Sequence, residues 1–170
     1  IQACIEKAVK EITNIKIHII MNTEFQDLEN KVVLITGGSG VLGGSMAESL
    51  VMANMKVAIT FRSGAAVKEK VVNWKDQGKQ VIAVPIDVLD SESIESAKNI
   101  VLDEWGKIDV LINAAGGNVP GTVIPPDKSV FDLSTENILK VLDLNLFGTV
   151  VPTMAIGKLM AQQGFGSIIN

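Results

Sequence analysis

Four closely spaced glycines behind a short apolar run are the residues of this chain best suited to holding a ligand. The run Val32–Ile35 is followed by Gly37, Gly38, Gly40 and Gly43. Glycine lets the backbone turn tightly and approach a ligand closely, because no Cβ stands in the way. Residues 42–52 would follow as a helix whose free N–H groups and partial positive charge attract a diphosphate. The pattern predicts a dinucleotide-binding turn between a buried strand and a helix.

The same glycines fit more than one phosphate-binding template. Residues 38–43 form a literal G-x-G-x-x-G, which is informative only between a strand and a helix. Residues 38–45 also approach the NTPase loop G-x-x-x-x-G-K-S, but Gly44 stands where that loop needs its lysine. Without the lysine nothing would neutralise a terminal phosphate, so an NTPase is excluded. An ordinary glycine-rich turn that binds nothing remains the alternative.

The elements that position this turn alternate regularly along the chain. The predicted strands are 32–35, 56–61, 80–86, 108–113 and 166–170. The predicted helices are 42–52, 65–77, 91–105 and a long helix that Ser134 caps, preceded by a Gly- and Pro-rich loop over 116–127. Such alternation predicts an α/β fold with a parallel sheet, right-handed crossovers and ligands at the carboxyl ends of the strands.

Composition limits the partners and the compartment. The 170 residues suffice for one domain with a substantial core. A net charge of −4 and a pI near 5.0, without a basic cluster, argue against a nucleic-acid partner. The lone Cys4 excludes a disulfide framework and is typical of a reducing compartment, so we expect a cytoplasmic protein. The most apolar stretch, 144–157, is too short to span a bilayer, so we expect no membrane partner.

The first 20 residues differ in pattern from the rest of the chain. They carry a helical apolar stripe and then alternating isoleucines, and the charged residues between Glu6 and Glu11 interrupt any signal-peptide core. We therefore expect residues 1–20 to be an N-terminal extension, either a docking helix or an upstream segment. Residues 21–170 are expected to form the domain.

Five landmarks, in order, resemble the short-chain dehydrogenase/reductase family. They are the turn 36–43, the pair Asp87-Val88, the strand and N-[NA]-A-G-like ending 106–116, Asn145, and the strand start 166–170. The resemblance covers roughly residues 27–170 and implies a Rossmann-type doubly wound parallel sheet, truncated after the fifth strand. It also implies an NAD(P)-dependent oxidoreductase that moves hydride between a nicotinamide cofactor and a small carbonyl or alcohol substrate.

The resemblance assigns roles to individual residues. Asn145 is the expected catalytic residue, keeping a water for proton relay, although an Asn that bonds a helix carbonyl near the kink at Pro152 is the alternative. Asp87 would bind the adenine amino group and Val88 would pack on the ring. The expected cofactor-binding residues are Gly37, Ser39, Leu42, Gly43, Arg62, Ser63, Asp87, Val88, Asn113, Ala114 and Gly116. No metal site is expected.

The end of the second strand predicts which cofactor is preferred. NAD enzymes place an acidic residue there to bind the ribose 2′-hydroxyl. Here Phe61 stands in that place, followed by Arg62 and Ser63. An acid would repel a 2′-phosphate, whereas an arginine binds it through charge-assisted hydrogen bonds. The sequence therefore predicts NADP over NAD, with Arg62 as a merely solvated cation as the alternative.

Two departures from the family pattern leave other functions open. Val41 stands at the middle glycine of the reductase turn, and the spacing instead fits the extended branch of sugar-nucleotide epimerases and dehydratases. Residues 111–116 are reductase-like, and the segments 40–44, 115–120 and 143–149 together are similar to mannonate/fructuronate-type sugar-acid oxidoreductases. In the family the catalytic Ser lies just after the fifth strand and Tyr-x-x-x-Lys on the next helix; this sequence stops at Asn170 and contains no tyrosine, so neither can be assigned here. The chain alone is expected to be inactive, and a truncated, non-catalytic nucleotide-binding module is the further alternative.

The predicted long helix is apolar on more than one face, as its residues Ile138, Leu142, Leu146, Val150 and Met154 illustrate. Such a surface would face water unless something covers it. We expect a homo-oligomer formed through the helix 134–164.

Overall fold

The computed structural model describes residues 26–127 and 129–170, so the predicted extension 1–20 lies outside the described residues. The strands are β1 (Val32–Thr36), β2 (Lys56–Phe61), β3 (Val81–Pro85), β4 (Val110–Asn113) and β5 (Ser167–Ile169). They form one sheet in the order β3-β2-β1-β4-β5, and every neighbouring pair is parallel. The predicted α/β class and Rossmann-type doubly wound sheet are confirmed.

Helices cover both faces of the sheet. They are α1 (Val41–Met52), α2 (Ala65–Asp76), α3 (Ser91–Trp105), α4 (Thr135–Leu142) and α5 (Gly148–Gln163). Alternate residues of β1 contribute to two separate clusters, because successive side chains of a strand point to opposite faces. Val33 and Ile35 pack with residues of α1 and α2, whereas Val32 and Leu34 pack with residues of α3 and α5. This burial on both faces explains why the first four residues of β1 form an uninterrupted apolar run.

The helix ends differ in part from the sequence-based expectation. Helix α3 runs from Ser91 to Trp105 as predicted and ends at Gly106, whose φ of 76° is left-handed. Its cap is Asp90, which accepts a hydrogen bond from the Glu92 N–H at 2.9 Å. Ser134 precedes α4 as predicted, but its side chain makes no capping bond, and only its carbonyl accepts, from Ile138.

A continuous helix of 29 residues, Thr135–Gln163, joins α4 and α5 through the π-helical turn Asp143–Phe147. It is longer than the apolar stretch 144–157, which by itself is too short to span a bilayer. By length and composition it would suffice to cross a membrane, a test that core helices of globular proteins also pass. Here it buries Gly148, Pro152, Ile156 and Met160.

Asp109 joins three strands at the amino end of the sheet. Its Oδ2 accepts a hydrogen bond from the Val32 N–H at 2.8 Å and lies 2.9 Å from Lys107 Nζ. Its own N–H donates to the Val32 carbonyl, and its carbonyl accepts from Ser167. Burial acts to raise the pKa of Asp109, but the bonds from Lys107 and Val32, with the charges of Lys107 and Lys31, outweigh it and lower the pKa.

Candidate functional site

A cleft of about 230 Å³ opens at the carboxyl ends of the four strands β1 to β4. The chain leaves β1 towards β2 and β3 on one side and returns to β4 on the other, so the cleft lies at the switch point of the sheet. Its walls are formed by Gly37, Ser39, Gly40, Thr60, Phe61, Arg62, Ile86, Asp87, Val88, Ala114, Ala115, Gly116 and Leu144.

The glycine turn packs directly against the end of β4. Gly37 has a left-handed φ of 64°, and a Cβ there would overlap the Ala114 carbonyl. A Cβ on Gly43 would likewise overlap the Gly37 carbonyl. Both positions therefore require glycine for steric reasons, and the turn leaves its outer side open to the cleft.

Helix α1 begins at this turn with unused donors. The first N–H that donates within the helix is that of Gly44, at 2.8 Å from the Gly40 carbonyl. No side chain caps the N-terminus at Gly40. The N–H groups of the first turn are therefore available to an acceptor, and the helix dipole favours an anion.

Thr36 holds the end of β4 in place, a function that sequence reasoning missed. Its buried Oγ1 accepts hydrogen bonds from the N–H groups of Ala114 and Ala115, each at 3.1 Å, and donates to the Ile112 carbonyl at 3.4 Å. The signal in the sequence was a hydroxyl residue at the end of an otherwise apolar strand. Through Thr36 the glycine turn and the β4 loop form one unit.

The end of β2 carries positive charge. Phe61 and Arg62 line the cleft, and no acidic residue stands at this strand end. Among the described residues the ion pairs are Lys98–Glu95, Lys107–Asp109 and Lys140–Glu136, which leaves Arg62 without one. Thr60, beside them on β2, is fully buried, and its hydroxyl finds no hydrogen-bond partner within the described part of the chain.

Asp87 and Val88 follow β3 and form the opposite wall. Asp87 Oδ1 accepts a hydrogen bond from the Leu89 N–H at 3.0 Å, which is a local turn contact. This bond uses one carboxylate oxygen and leaves the other for a ligand. Val88 is buried against the start of α5, where a Cβ on Gly148 would lie 3.0 Å from its Cγ2. Asp87 thus combines a structural bond with a free acceptor.

Asn145 lies in the π-helical turn and contacts the loop that follows β4. Its Nδ2 donates to the carbonyls of Gly117 and Val141, each at 2.8 Å, and its Oδ1 accepts from the Gly117 N–H at 3.0 Å. π-helical turns are frequent at functional sites. The bond to Val141 is the helix-carbonyl contact of the alternative interpretation. The bonds to Gly117 add a contact across to the β4 loop.

The structure brings part of the predicted set into the cleft. Seven of the predicted cofactor residues line it: Gly37, Ser39, Arg62, Asp87, Val88, Ala114 and Gly116. The others lie at its edge or behind it. Leu42 and Ser63 are exposed outside the lining, and Gly43 is buried beneath the turn. Asn113 faces away, because its Nδ2 donates to Thr153 Oγ1 at 2.9 Å and to Asn170 Oδ1 at 2.8 Å.

Comparisons with known proteins agree with this geometry. The family model for short chain dehydrogenase matches residues 31–170. An uncharacterized oxidoreductase, UxuB, of Bacillus subtilis (strain 168) is 35% identical over 153 residues, which cover 85% of this chain and 55% of that protein.

Two solved structures share the fold. A putative D-mannonate oxidoreductase from Haemophilus influenza with bound NAD is 30% identical, with a TM-score of 0.69 over 77% of this chain and 50% of that one. An NADPH-dependent 3-quinuclidinone reductase from Rhodotorula rubra is also 30% identical, with a TM-score of 0.70 over 83% and 51%. The chain spans about half the length of the relatives that it matches. With the family model matching most of its length, the chain belongs to the short-chain dehydrogenase family.

Proposed function

We propose that this chain is the cofactor-binding portion of an NADP-preferring oxidoreductase that acts on a small carbonyl or alcohol substrate. One observation carries the proposal. The uncapped helix N-terminus behind Gly37 and the unpaired cation Arg62 border the same switch-point cleft. A ligand that carries a diphosphate and a phosphate monoester could bind the helix N-terminus with the first group and Arg62 with the second.

The residues present fit such a dinucleotide. Ser39, Leu42 and Gly43 would surround the pyrophosphate, where the close approach of Gly43 to the Gly37 carbonyl keeps side chains out of the way. Asp87 would accept from the adenine amino group and Val88 would pack on the ring. Ala114 and Gly116 would border the nicotinamide ribose, and Arg62 with Ser63 would meet the 2′-position. Asn113 would not contact the ribose, because its amide donates to Thr153 and Asn170.

The chemistry divides between cofactor and protein. The bound cofactor supplies or accepts hydride at its nicotinamide ring. The chain binds and orients it, and Asn145 acts on the site by fixing the backbone at Gly117, since three of its four hydrogen-bonding positions are in use. The remaining lone pair of Asn145 Oδ1 is free to accept a hydrogen bond from a water.

The proposed preference for NADP is supported by this chain's own residues. The two solved relatives are described with NAD and with NADPH, so likeness alone does not choose between the cofactors. Arg62, together with the missing acidic residue at the end of β2, favours the phosphorylated form. Titration of the protein with NADP and NAD tests this preference, and Arg62→Ala should reduce the difference in affinity between them. Equal affinity of the wild type for both, or tighter NAD, contradicts the preference.

For the substrate we propose a sugar acid, on the similarity to the putative D-mannonate oxidoreductase. Because these 170 residues contain no tyrosine, we expect this polypeptide by itself to bind cofactor without turnover. A second candidate, a nucleotide-binding module without catalysis, is favoured by the same observation. Cofactor titration beside an assay of NADPH oxidation with fructuronate tests these expectations, because turnover by these residues would contradict both the expected inactivity and the non-catalytic module.

The spacing of Gly37, Gly40 and Gly43 also leaves a sugar-nucleotide epimerase or dehydratase as a competing function. Binding of a nucleotide sugar to this chain, measured beside NADP, would favour that branch. If NADP alone binds, the oxidoreductase proposal stands.

We further propose that the chain self-associates through the helix 134–164. Leu142, Leu146, Phe147 and Met154 on this helix are exposed, an apolar surface that water does not favour. Light scattering over a range of concentrations tests this proposal, with Met154→Glu expected to weaken association. A monomer at every concentration would contradict it.

A further inference from the structure

Lys68 is anchored to the end of β2 by an aromatic contact. Its Nζ lies 5.5 Å from the centre of the Phe61 ring, within the range of a cation–π interaction. Phe61 is one of the residues lining the cleft, and Arg62 follows it directly. Lys68 is therefore attached to the strand end that Arg62 continues, while Phe61 and Arg62 themselves line the cleft.

Neither of these two cations takes part in an ion pair within the described residues. The first turn of α2 contains no acidic residue. Lys68 itself lies in this first turn, where a cation is unfavourable beside the positive end of the helix dipole. A ligand with strong negative charge would relieve this unfavourable interaction.

We propose that Lys68 is a specificity-determining residue that, with Arg62, binds the phosphate monoester on the adenosine ribose of NADP. The inference rests on the proposed function and adds a residue to it. A phosphate monoester carries a charge of roughly −1.5 to −2 near neutral pH, so one arginine leaves part of the charge uncompensated. Arg62 offers a planar fork for two oxygens, and Lys68 supplies a mobile point charge for the third.

The matched variants are Lys68→Met and Lys70→Met. Lys68→Met keeps the aliphatic stem over Phe61 and removes the charge, and Lys70→Met makes the same change at an exposed position of the same helix. Isothermal titration with NADP, NAD and adenosine 2′,5′-bisphosphate measures the effect. We expect Lys68→Met to bind NADP and the bisphosphate about fivefold more weakly. We expect NAD affinity to be unchanged, and Lys70→Met to match the wild type.

Measurements at different ionic strengths and of thermal stability distinguish a binding role of Lys68 from a purely structural one. Added salt should reduce the preference of the wild type for NADP more than that of Lys68→Met, because charge interactions at an exposed rim are screened. The melting temperature of Lys68→Met should be no lower than that of Lys70→Met. Equal NADP affinity in the two variants, or an equal loss of NAD affinity in Lys68→Met, would overturn the assignment of Lys68. If the wild type binds neither dinucleotide, the proposed function itself fails.

Discussion

The side chain of Asn145 pairs with both backbone polar groups of Gly117, donating to the carbonyl at 2.8 Å and accepting from the N–H at 3.0 Å. The two residues are 28 positions apart in the sequence. Gly117 has a φ of 146°, so the loop leaves β4 in a conformation that favours glycine. The long helix thus holds the backbone of the loop that borders the cleft.

Asn145→Ala should release this loop. The variant loses three hydrogen bonds at a partly solvated site, so we expect it to be about 1–2 kcal/mol less stable. Hydrogen exchange should show faster exchange at the Gly117 amide, with the sheet amides unaffected. Asn99→Ala, at an exposed asparagine of α3, is the control. Unchanged protection at Gly117 would mean that the pairing does not hold the loop.

Two buried threonines at the ends of neighbouring strands should respond oppositely to the loss of their hydroxyls. Thr36→Val leaves the N–H groups of Ala114 and Ala115 without their acceptor, so we expect a loss of about 1–3 kcal/mol. Thr60→Val removes a hydroxyl that has no partner in the described residues, so stability should be unchanged or higher. Chemical denaturation of both variants measures the difference. Equal losses would refute the assignment of the β4 anchor to Thr36.

Gly37→Ala should both destabilise the protein and block cofactor binding. The new Cβ overlaps the Ala114 carbonyl and occupies a left-handed conformation, so we expect a loss of more than about 2 kcal/mol. Gly78→Ala is the matched control, because Gly78 has a φ of 77° with open space around it. It should cost only about 1–2 kcal/mol, from backbone strain. Thermal melts and NADP titration of the two variants distinguish the effect of the steric overlap from that of backbone strain. A Gly37→Ala protein that binds NADP normally would argue against cofactor binding at the glycine turn.

Asp109 should stabilise the fold only while it is ionised. Its pKa is lowered in the folded state, so its contribution is fully present above the unfolded value of about 3.9. That contribution is lost as the pH falls through the lower, folded pKa. We expect Asp109→Asn to be about 1–3 kcal/mol less stable near neutral pH, since Lys107 and the Val32 N–H lose their charged acceptor.

Urea denaturation between pH 2 and pH 7 should show this difference shrinking below about pH 4. Asp103→Asn, at an exposed carboxylate of α3, is the matched control. A difference between wild type and Asp109→Asn that stays constant down to pH 2 would contradict the mechanism.

The strands could be predicted closely because buried parallel strands are apolar runs between turn residues. Strand β2 has the predicted bounds, and β3 and β5 are each one residue shorter at both ends. Strand β4 begins at Val110 rather than at residue 108, because Ile108 pairs its backbone with the side chain of Gln163, 55 positions away. Periodicity along the chain contains no information about such a partner.

The cleft was harder to predict than the sheet. Residues directly after strand ends, such as Gly37, Arg62 and Asp87, could be placed because parallel strands all end at one edge. The orientation of Asn113 could not, since Thr153 and Asn170 attract its amide from distant segments. The π-helical turn around Asn145 also had no sequence signal beyond the nearby Pro152.

The hydrogen bond from the Ala114 N–H to Thr36 Oγ1 spans 78 positions of the chain. Until β4 has docked beside β1, the cleft lacks the wall that Ala114, Ala115 and Gly116 form, so a nascent or partly folded polypeptide offers a dinucleotide an incomplete site. A cofactor present during refolding should therefore not change the rate at which β1 and β4 pair, which is limited by the entropy of closing a long loop. It should instead stabilise molecules in which the sheet has already formed, and so slow their unfolding.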